Sequence, residues 1–566
     1  MRMLLRCAAR ANPQYEHIAG RARARGIFTL RPRHKSFRSL FSNTDSLESG
    51  TFTLKVLTGA AVFAAFIAAV NLRPSILHAA SSSSISPPQR TFRLSEVRAH
   101  GCNATEKWVT KGTKVYDITD WIPGHPGGEV ILRAVGGAID QYWEIFAIHE
   151  KQEVYDILEG FYIGDVDPQD LVDGKVPDEH IDDPFVHDPK RDERLVVLTG
   201  RPFNAETPQG SLDTFVTPTE TFYVRHHMWV PDLDPAKQKL VVELPDGEEM
   251  EYSLSDLQRK FEAVRITATM QCSGNRRGHM TEKARSTKGL QWGSGAISNG
   301  IWTGVRLRDV LQDAGFPISD VPDEVKHVQF MGAEAYGASI PIDKAVDKRG
   351  DVILAYALND EPLPADHGYP LRVVVPGNVA ARSVKWLSRI RLSEEESQSQ
   401  WQQRDYKCFG PNVSGDPDWT TAPAIQEVPV QSAITSLRNI SAQSQSDRKL
   451  LHSYGLEEDG IAVEGYAFSG GGRRIIRVDV SANDGKTWQQ AELLPNEDLG
   501  AKAWAWQRWR WILPRSQAGK CFVVKAVDEA YNTQPGEYEA NWNFRGNLTQ
   551  AWHRVGYDND ALRKND

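Results

Sequence analysis

The spacing of hydrophobic and polar positions changes several times along the chain, and each spacing predicts a different kind of element. Residues 56–72, VLTGAAVFAAFIAAVNL, form an uncharged run between Lys55 and Arg73. Seventeen residues stand at the short end of what crosses a bilayer. Residues 107–118, KWVTKGTKVYDI, predict two short strands around a Lys-Gly turn, and 142–148, YWEIFAI, an apolar helical stretch. Between 193 and 420, short β-type runs recur at 195–199, 240–244, 325–330, 352–355 and 371–375, with a helical pattern at 307–314. That mixture predicts an α+β domain. Between 425 and 560 only strand patterns recur, at 461–467, 475–481, 504–513 and 521–527. Asn483-Asp484-Gly485-Lys486 supplies a hairpin turn there. In 504–513, Trp504, Trp506, Trp509 and Trp511 alternate with Ala505, Arg508 and Arg510, which predicts a strand with an aromatic face.

One stretch has no hydrophobic period. Residues 165–192 hold ten Asp/Glu against three Lys/Arg, with prolines at 168, 177, 184 and 189. Such a segment buries too little to fold alone. It predicts a mobile tether over 166–192, between a compact acidic unit at 90–165 and the domain at 193–420; a passive spacer is the plainer alternative. The Ser-rich stretch 79–88 predicts an exposed linker open to cleavage.

Charge divides the chain further. Residues 1–80 carry a net charge of +9, and the remainder −17. The first forty residues hold nine arginines, one lysine and one acid, Glu16. That composition predicts a mitochondrial transit peptide. Followed by the apolar run, it predicts a two-part presequence over 1–80 that delivers the body to the intermembrane space, or else anchors it there. An acidic body argues against nucleic acid as a partner and suits a basic protein. The five cysteines, 7, 102, 272, 408 and 521, lie far apart, so neither a zinc site nor a disulfide framework is indicated.

Three sets of residues carry candidate chemistry. In ATMQCSGNRRGHM, residues 268–280, a strand pattern runs into Cys272, then a small-residue turn, then Arg276 and Arg277. A thiol placed so suits a low-pKa thiolate, either a nucleophile or a ligand for a soft metal. A structural cysteine is the plain alternative, and the local pattern does not choose among the three. Next, His125 sits in a stiff Pro/Gly turn, IPGHPGG, and His149 follows the helical stretch at 142–148. Two such imidazoles could ligate a haem iron from opposite faces, leaving electron transfer as its task. Lastly, basic and polar residues recur beside Gly, Pro and small residues: Arg225 in TFYVRHHM, Lys288 and Trp292 in TKGLQWGSGAIS, His367 and Arg372 in DHGYPLRVVVPG, Arg382, Ser383 and Lys385 in ARSVKW, Tyr406 in WQQRDYKCF. Singly these are surface residues; together they suit a large anionic cofactor and an anionic substrate.

The HPGG run with its second histidine resembles the cytochrome b5 family over about 75 residues, which implies His125 and His149 as axial ligands of a b-type haem. QCSGNRR, KGLQW, DHGYPLRVVVPG, SVKW and RDYK together resemble the eukaryotic sulfite oxidase family, in the same domain order. That resemblance implies a small α+β cytochrome b5-like domain, a mixed α+β molybdopterin-binding domain and an all-β, immunoglobulin-like dimerisation domain at 425–560. It implies molybdenum bound by the dithiolene of molybdopterin and by Cys272. His367, Arg372, Ser383, Lys385 and Lys288 are implied to hold the pterin and its phosphate. Arg225, Arg277, Trp292, Tyr406 and Arg545, in NWNFRGN, are implied to shape the anion pocket, with Arg276 structural. Cys408 departs from the glycine that follows DYK in the family and is expected to be a tolerated small residue. His226 and His227 are given no role. The implied activity is oxidation of sulfite to sulfate, with electrons passing singly through the haem to cytochrome c, in a homodimer. Two alternatives remain at this point. A nitrate reductase-like enzyme would share the molybdenum domain but carry its haem module after it. A non-catalytic haem electron carrier would not need Cys272 and its basic cohort.

Overall fold

The computed structural model describes residues 90–557, apart from 126–127, 147–148, 150–151, 178–180, 182, 335, 416 and 497–501. The Arg-rich leader, the apolar run at 56–72 and the Ser-rich linker lie outside the described residues. Among those described, no helix is long and apolar enough to cross a membrane.

The unit at 90–165 is built on a four-stranded sheet in the order Thr91–Phe92, Tyr162–Val166, Lys114–Asp117, Trp108–Lys111. The hairpin expected at 107–118 is there, with Gly112 at φ +57° in its turn, where a side chain is disfavoured. Val109, Tyr116, Ile118, Trp143 and Leu158 form its core. His125 ends the 3₁₀ turn Thr119–Gly124, and His149 lies between the helices Asp140–Ile145 and Gln152–Glu159.

The described part of the tether has one short 3₁₀ turn, Pro168–Asp170, as its composition predicts. Its last third is nonetheless held down. Phe185 is buried, 5.6 Å from the Phe146 ring of the haem module and 6.3 Å from Trp229. Asp188 accepts from the Val230 amide at 3.0 Å, and Arg191 forks onto Asp366 at 2.9–3.2 Å. One phenylalanine and one arginine make no periodic pattern, so sequence reasoning passed over them.

The central domain is built on two five-stranded sheets. The first runs Val264–Gln271, Ile297–Arg306, Ile353–Leu358, Glu361–Pro362, with Arg372–Val374 also on Ile353–Leu358. The second runs Gly337–Pro341, His327–Gly332, Leu387–Ser393, Lys239–Glu243, Glu249–Ser253, antiparallel except where Leu387–Ser393 meets Lys239–Glu243. Each predicted β run is a strand, with its ends moved by a few residues, and 307–314 is the helix Leu307–Asp313. Val242, Val328, Phe330, Leu354, Val373 and Ile390 belong to a core shared by both sheets.

The C-terminal domain is a sandwich of two four-stranded sheets. One runs Gln431–Ile440, Gly460–Phe468, Gln507–Pro514, Glu492–Leu493; the other runs Gln489–Gln490, Ile475–Ser481, Cys521–Asp528, His553–Gly556. Here one expectation needs correcting. The strand predicted at 504–513 begins at Gln507, and only Trp509 and Trp511 face the sandwich core. Trp504 and Trp506 leave the sandwich and brace the strand Val264–Gln271. The Thr269 amide donates to the Trp504 carbonyl at 2.9 Å, and the Trp506 amide donates to Thr269 Oγ1 at 2.8 Å. Val264–Gln271 is an edge strand, and its outward backbone groups need partners when buried.

The turn after that strand is braced from the same side. Arg276 has φ +65°, a left-handed conformation uncommon outside glycine. Its fully buried guanidinium donates to Ser432 O at 3.2 Å, to Ala551 O at 2.8 Å and to Tyr538 Oη at 2.8 Å, all in the C-terminal domain. Replacing Arg276 with alanine strands these acceptors, at about 1–3 kcal/mol each. Urea titration of Arg276→Ala is expected to show a stability loss of at least about 3 kcal/mol; a loss under about 1 kcal/mol would refute the bracing role.

Candidate active site

Cys272 is delivered by strand pairing. Gln271 pairs with Ile297, and the Cys272 amide extends the ladder to Ala296 O at 3.0 Å. The chain then turns, with the Asn275 amide donating to Cys272 O at 3.0 Å. Asn275 locks the turn: Oδ1 accepts from the Ala296 amide at 3.1 Å, and Nδ2 donates to Tyr466 Oη at 3.0 Å. The thiol is buried on the wall of a cleft partly open to solvent. Arg225, His226, His227, His367, Arg372, Ser383, Lys385 and Tyr406 share that wall.

Positive charge dominates around the cavity, and its acceptors are neutral. Arg372 donates to the carbonyls of His367 and Ser383, both at 2.9 Å, and to Val373 at 3.3 Å. Arg382, behind the wall, donates to Ile425 O at 2.7 Å, to Gln402 Oε1 and to Tyr406 O. Arg225 donates to Asn204 Oδ1 at 3.1 Å, to His226 O and to His227. Lys385 donates to Arg225 O at 3.1 Å, His226 Nδ1 at 2.8 Å and Asp366 O at 3.0 Å. Of the nearby carboxylates, Asp366 has its side chain taken by Arg191 and by His226 Nε2 at 2.8 Å, Asp405 pairs with Arg545, and Glu334 lines the cavity itself. Burial pushes the His226 and His367 imidazoles down to about 3, so both are neutral. Burial lowers Arg372 to about 10.

His227, given no role from the sequence, links two residues that were. Its Nδ1 lies 3.2 Å from Arg225 Nη2, and its Nε2 lies 2.8 Å from Tyr406 Oη. Arginine only donates, so Nδ1 must accept. Burial, helped by Arg225 and Lys385, holds this imidazole well below its ordinary pKa, so it is neutral. Its single proton is therefore on Nε2 and is donated to Tyr406. The phenol keeps its own proton, because burial raises its pKa. The RHH sequence carried the signal, but only the fold shows that the second histidine reaches the tyrosine.

Four other candidates stand elsewhere. Arg277 is buried behind the turn, donating to Arg545 O at 2.7 Å, Leu290 O at 2.9 Å and Asn547 Oδ1 at 3.1 Å. Three glycines make its slot: a Cβ on Gly274, Gly289 or Gly546 would fall 2.5–2.8 Å from its side chain. Arg545 reaches back from the C-terminal domain and pairs with Asp405, next to Tyr406, while its Nε is buried without a partner among the described residues. Trp292 is fully buried in the apolar cluster that contains Cys272. Lys288 is exposed, its amide bonded to Phe544 O at 2.7 Å. Burial pushes the Cys408 thiol up to about 11, so it stays protonated.

The haem candidates face each other. The His125 and His149 rings are parallel, at 1°, with centroids 6.2 Å apart. Two metal–nitrogen bonds of about 2 Å each, plus the two half-rings, span that distance with one metal atom between. His149 Nδ1–H donates to Phe146 O at 3.0 Å, which leaves Nε2 as the ligand atom. Burial lowers its pKa, keeping it neutral and able to ligate. The residues fit a haem held from both faces.

Residues 93–167 match the cytochrome b5-like heme/steroid binding domain, 227–401 the oxidoreductase molybdopterin binding domain, and 422–559 the Mo-co oxidoreductase dimerisation domain. The fold and these matches define a molybdopterin oxidoreductase that also carries a b-type haem module, and the third match supports a homodimer. Over 539 residues, 93% of this chain and 92% of the relative, the chain is 41% identical to mitochondrial sulfite oxidase of Rattus norvegicus. To the Homo sapiens mitochondrial sulfite oxidase it is 44% identical over 476 residues, 82% of this chain and 84% of that one. This chain belongs to the sulfite oxidase family. Among solved structures, the sulfane dehydrogenase SoxCD of Paracoccus pantotrophus superposes with a TM-score of 0.51 at 25% identity, over 65% of this chain and 87% of that one.

The buried cations predict a pH signature. Burial, with the charge of Arg372, pushes Lys385 down to about 7, against about 10.4 in an unfolded chain. Between those values the unfolded state binds the extra proton, so stability rises with pH. The melting temperature of cofactor-free protein is expected to climb from pH 7 towards pH 10, and to climb less in Lys385→Met. Equal slopes in the two proteins would remove Lys385 as the cause.

Proposed function

We propose that the cavity around Cys272 is where the chain binds its molybdopterin and oxidises sulfite to sulfate. The observation that carries this reading is the set of cations around one buried thiol, whose protein acceptors are neutral. Arg225, Arg276, Arg277, Arg372, Arg382 and Lys385 donate to carbonyls, amide oxygens, a phenol or imidazoles. Buried positive charge without counter-anions favours anionic ligands.

The donor set fits the cofactor and the substrate. Cys272 would hold the molybdenum through its sulfur, a soft donor suited to such a metal. Arg372, Lys385, Ser383 and His367 would hold the pterin; Lys288, exposed and off the cavity wall, is assigned no contact with it. When bound, the molybdenum cofactor supplies oxygen-atom transfer to sulfite and accepts two electrons. Arg225 binds and orients the sulfite dianion. His227 donates to Tyr406 and so leaves the phenol proton free to point into the cavity, where it can hydrogen-bond an oxygen of the substrate. Arg277 and Arg545 add positive potential from behind the turn, and Trp292 walls the thiol from water. His125 and His149 would hold a haem iron, which would supply single-electron transfer when bound.

The electron acceptor proposed is cytochrome c. Residues 90–165 carry a net charge of −4, complementary to a basic carrier, and complementary charge speeds encounter. The tether at 166–192 is proposed to let the haem module visit both electron donor and acceptor. The relatives are named as mitochondrial, and with the Arg-rich leader and the run at 56–72 this supports the intermembrane space as the compartment.

Metal analysis together with sulfite-dependent cytochrome c reduction tests the reading. Cys272→Ser is expected to keep its haem spectrum and lose molybdenum and sulfite oxidation; a fully active, molybdenum-loaded variant would sink the ligand assignment. Arg225→Gln is expected to raise KM for sulfite by roughly tenfold to a hundredfold, as loss of a charge-assisted hydrogen bond of about 1.5–3 kcal/mol implies. An unchanged KM would take Arg225 out of the substrate site.

A further inference from the structure

Arg191 belongs to the last residues of the tether, yet its guanidinium is turned inward and lies over the Phe203 ring at 4.2 Å. Nε and Nη2 fork onto the Asp366 carboxylate at 2.9–3.2 Å, and Nη2 also donates to Asp188 Oδ2 at 2.8 Å. All three side chains are nearly closed off from solvent, at 10–12% exposure. Asp188 in turn accepts from the Val230 amide at 3.0 Å. The end of the tether therefore grips two segments that contribute to the cavity wall. One runs from Arg225 to Val230, and the other is the turn Ala365–His367.

A chain of hydrogen bonds runs inward from this grip. Asp366 Oδ1 meets His226 Nε2 at 2.8 Å, and His226 Nδ1 meets Lys385 Nζ at 2.8 Å. An ammonium only donates, so Nδ1 accepts. The imidazole is neutral, so its single proton is on Nε2 and is donated to Asp366. The titratable groups that face Asp366 are Arg191 from the tether, His226 from the segment before Trp229 and Lys385 from the far wall. Burial works against a charge on Asp366, and the bonds from His226 and Arg191 more than offset it. With His226 neutral, Arg191 is the cation in direct contact with that carboxylate. Without it, a carboxyl so deeply buried takes up a proton. A neutral carboxyl can donate to His226 Nε2. The imidazole proton then moves to Nδ1, where it faces the ammonium of Lys385, donor against donor.

We propose that Arg191 is a positioning residue of the cofactor site: acting through Asp366 and His226, it keeps the Lys385 ammonium in place on the cavity wall. The proposal rests on the reading of Lys385 as a pterin contact. A double-mutant cycle tests it, with Arg191→Met, Lys385→Met and the two combined. The readout is pterin retention in the purified full-length holoenzyme, followed as pterin fluorescence released during dialysis. R191M is expected to release pterin about tenfold faster than the wild type, as loss of a charge-assisted contact implies. The double variant is expected to release it at the K385M rate, because Arg191 has nothing left to act through. R191K returns a cation to Asp366 and is expected to recover most of the retention. Asp366→Asn puts a neutral side chain in the same place and is expected to match R191M. The haem spectrum is expected to be unchanged in every variant. If the effects of R191M and K385M multiply, Arg191 does not act through Lys385 and the proposal is overturned. It is equally overturned if R191K releases pterin as fast as R191M, or if D366N retains it like the wild type. If K385M speeds release and R191M does not, Arg191 has no part in the site although the cavity reading stands. If neither does, the reading of Lys385 fails and the proposal with it.

Discussion

The structure depends on positive charge kept out of water without negative partners. Taking an arginine or lysine out of solvent is unfavourable, and a carboxylate is the usual compensation. Around Cys272 the compensation comes instead from backbone carbonyls, two asparagines, a glutamine, a tyrosine and two imidazoles. These satisfy the hydrogen-bonding capacity of the cations but leave their net charge in place. The result is a fixed positive potential in a cavity of low polarisability, where an anion is held far more strongly than it would be in water. Asp366, buried beside this wall, is drawn off by Arg191 and His226. Burial still moves the balance at its edge, since Lys385 comes down to about 7.

Carbonyls can do this only if the chain brings many of them to one place, and that explains why two domains share one site. The C-terminal sandwich supplies Ser432 O and Ala551 O to Arg276, Arg545 O to Arg277, and the backbone of Trp504 and Trp506 to the strand that ends in Cys272. The cysteine turn is thus held from outside its own domain. The domain that matches a dimerisation domain thus also braces the turn behind Cys272.

On the other side of the cavity, the segment Arg225–Trp229 runs from the cavity wall to the unit at 90–165. Arg225 and His227 fix the proton on Tyr406. Two residues later, Trp229 takes the Arg133 guanidinium over its face at 4.5 Å and lies 6.4 Å from the Phe146 ring, whose carbonyl orients His149. The contacts to the cavity wall and to the unit at 90–165 therefore stand at opposite ends of one five-residue stretch.

Much of this was legible in the sequence. Strand alternation gave the elements of all three domains, the Gly/Pro setting marked His125, and the small-residue turn marked Cys272, because local sterics and periodicity decide those features. The Arg/Lys/His cohort pointed to an anionic cofactor and substrate before any geometry was known. What local pattern cannot carry is partnership across long sequence separations. It could not show that Trp504 and Trp506 leave their strand to brace Thr269, since an exposed strand edge has no local signature. It could not separate Arg372, on the cavity wall, from Arg277, enclosed behind three glycines, because both look like a basic residue beside small neighbours. Nor could it assign a proton to His227 or join Arg191 to Asp366, since each depends on which atoms meet after folding. The sequence by itself determined the elements, the domain order and the sign of the ligand's charge; the tertiary structure decided which cation faces the cavity and which way each proton points, because hydrogen-bond partners are chosen only when distant segments pack.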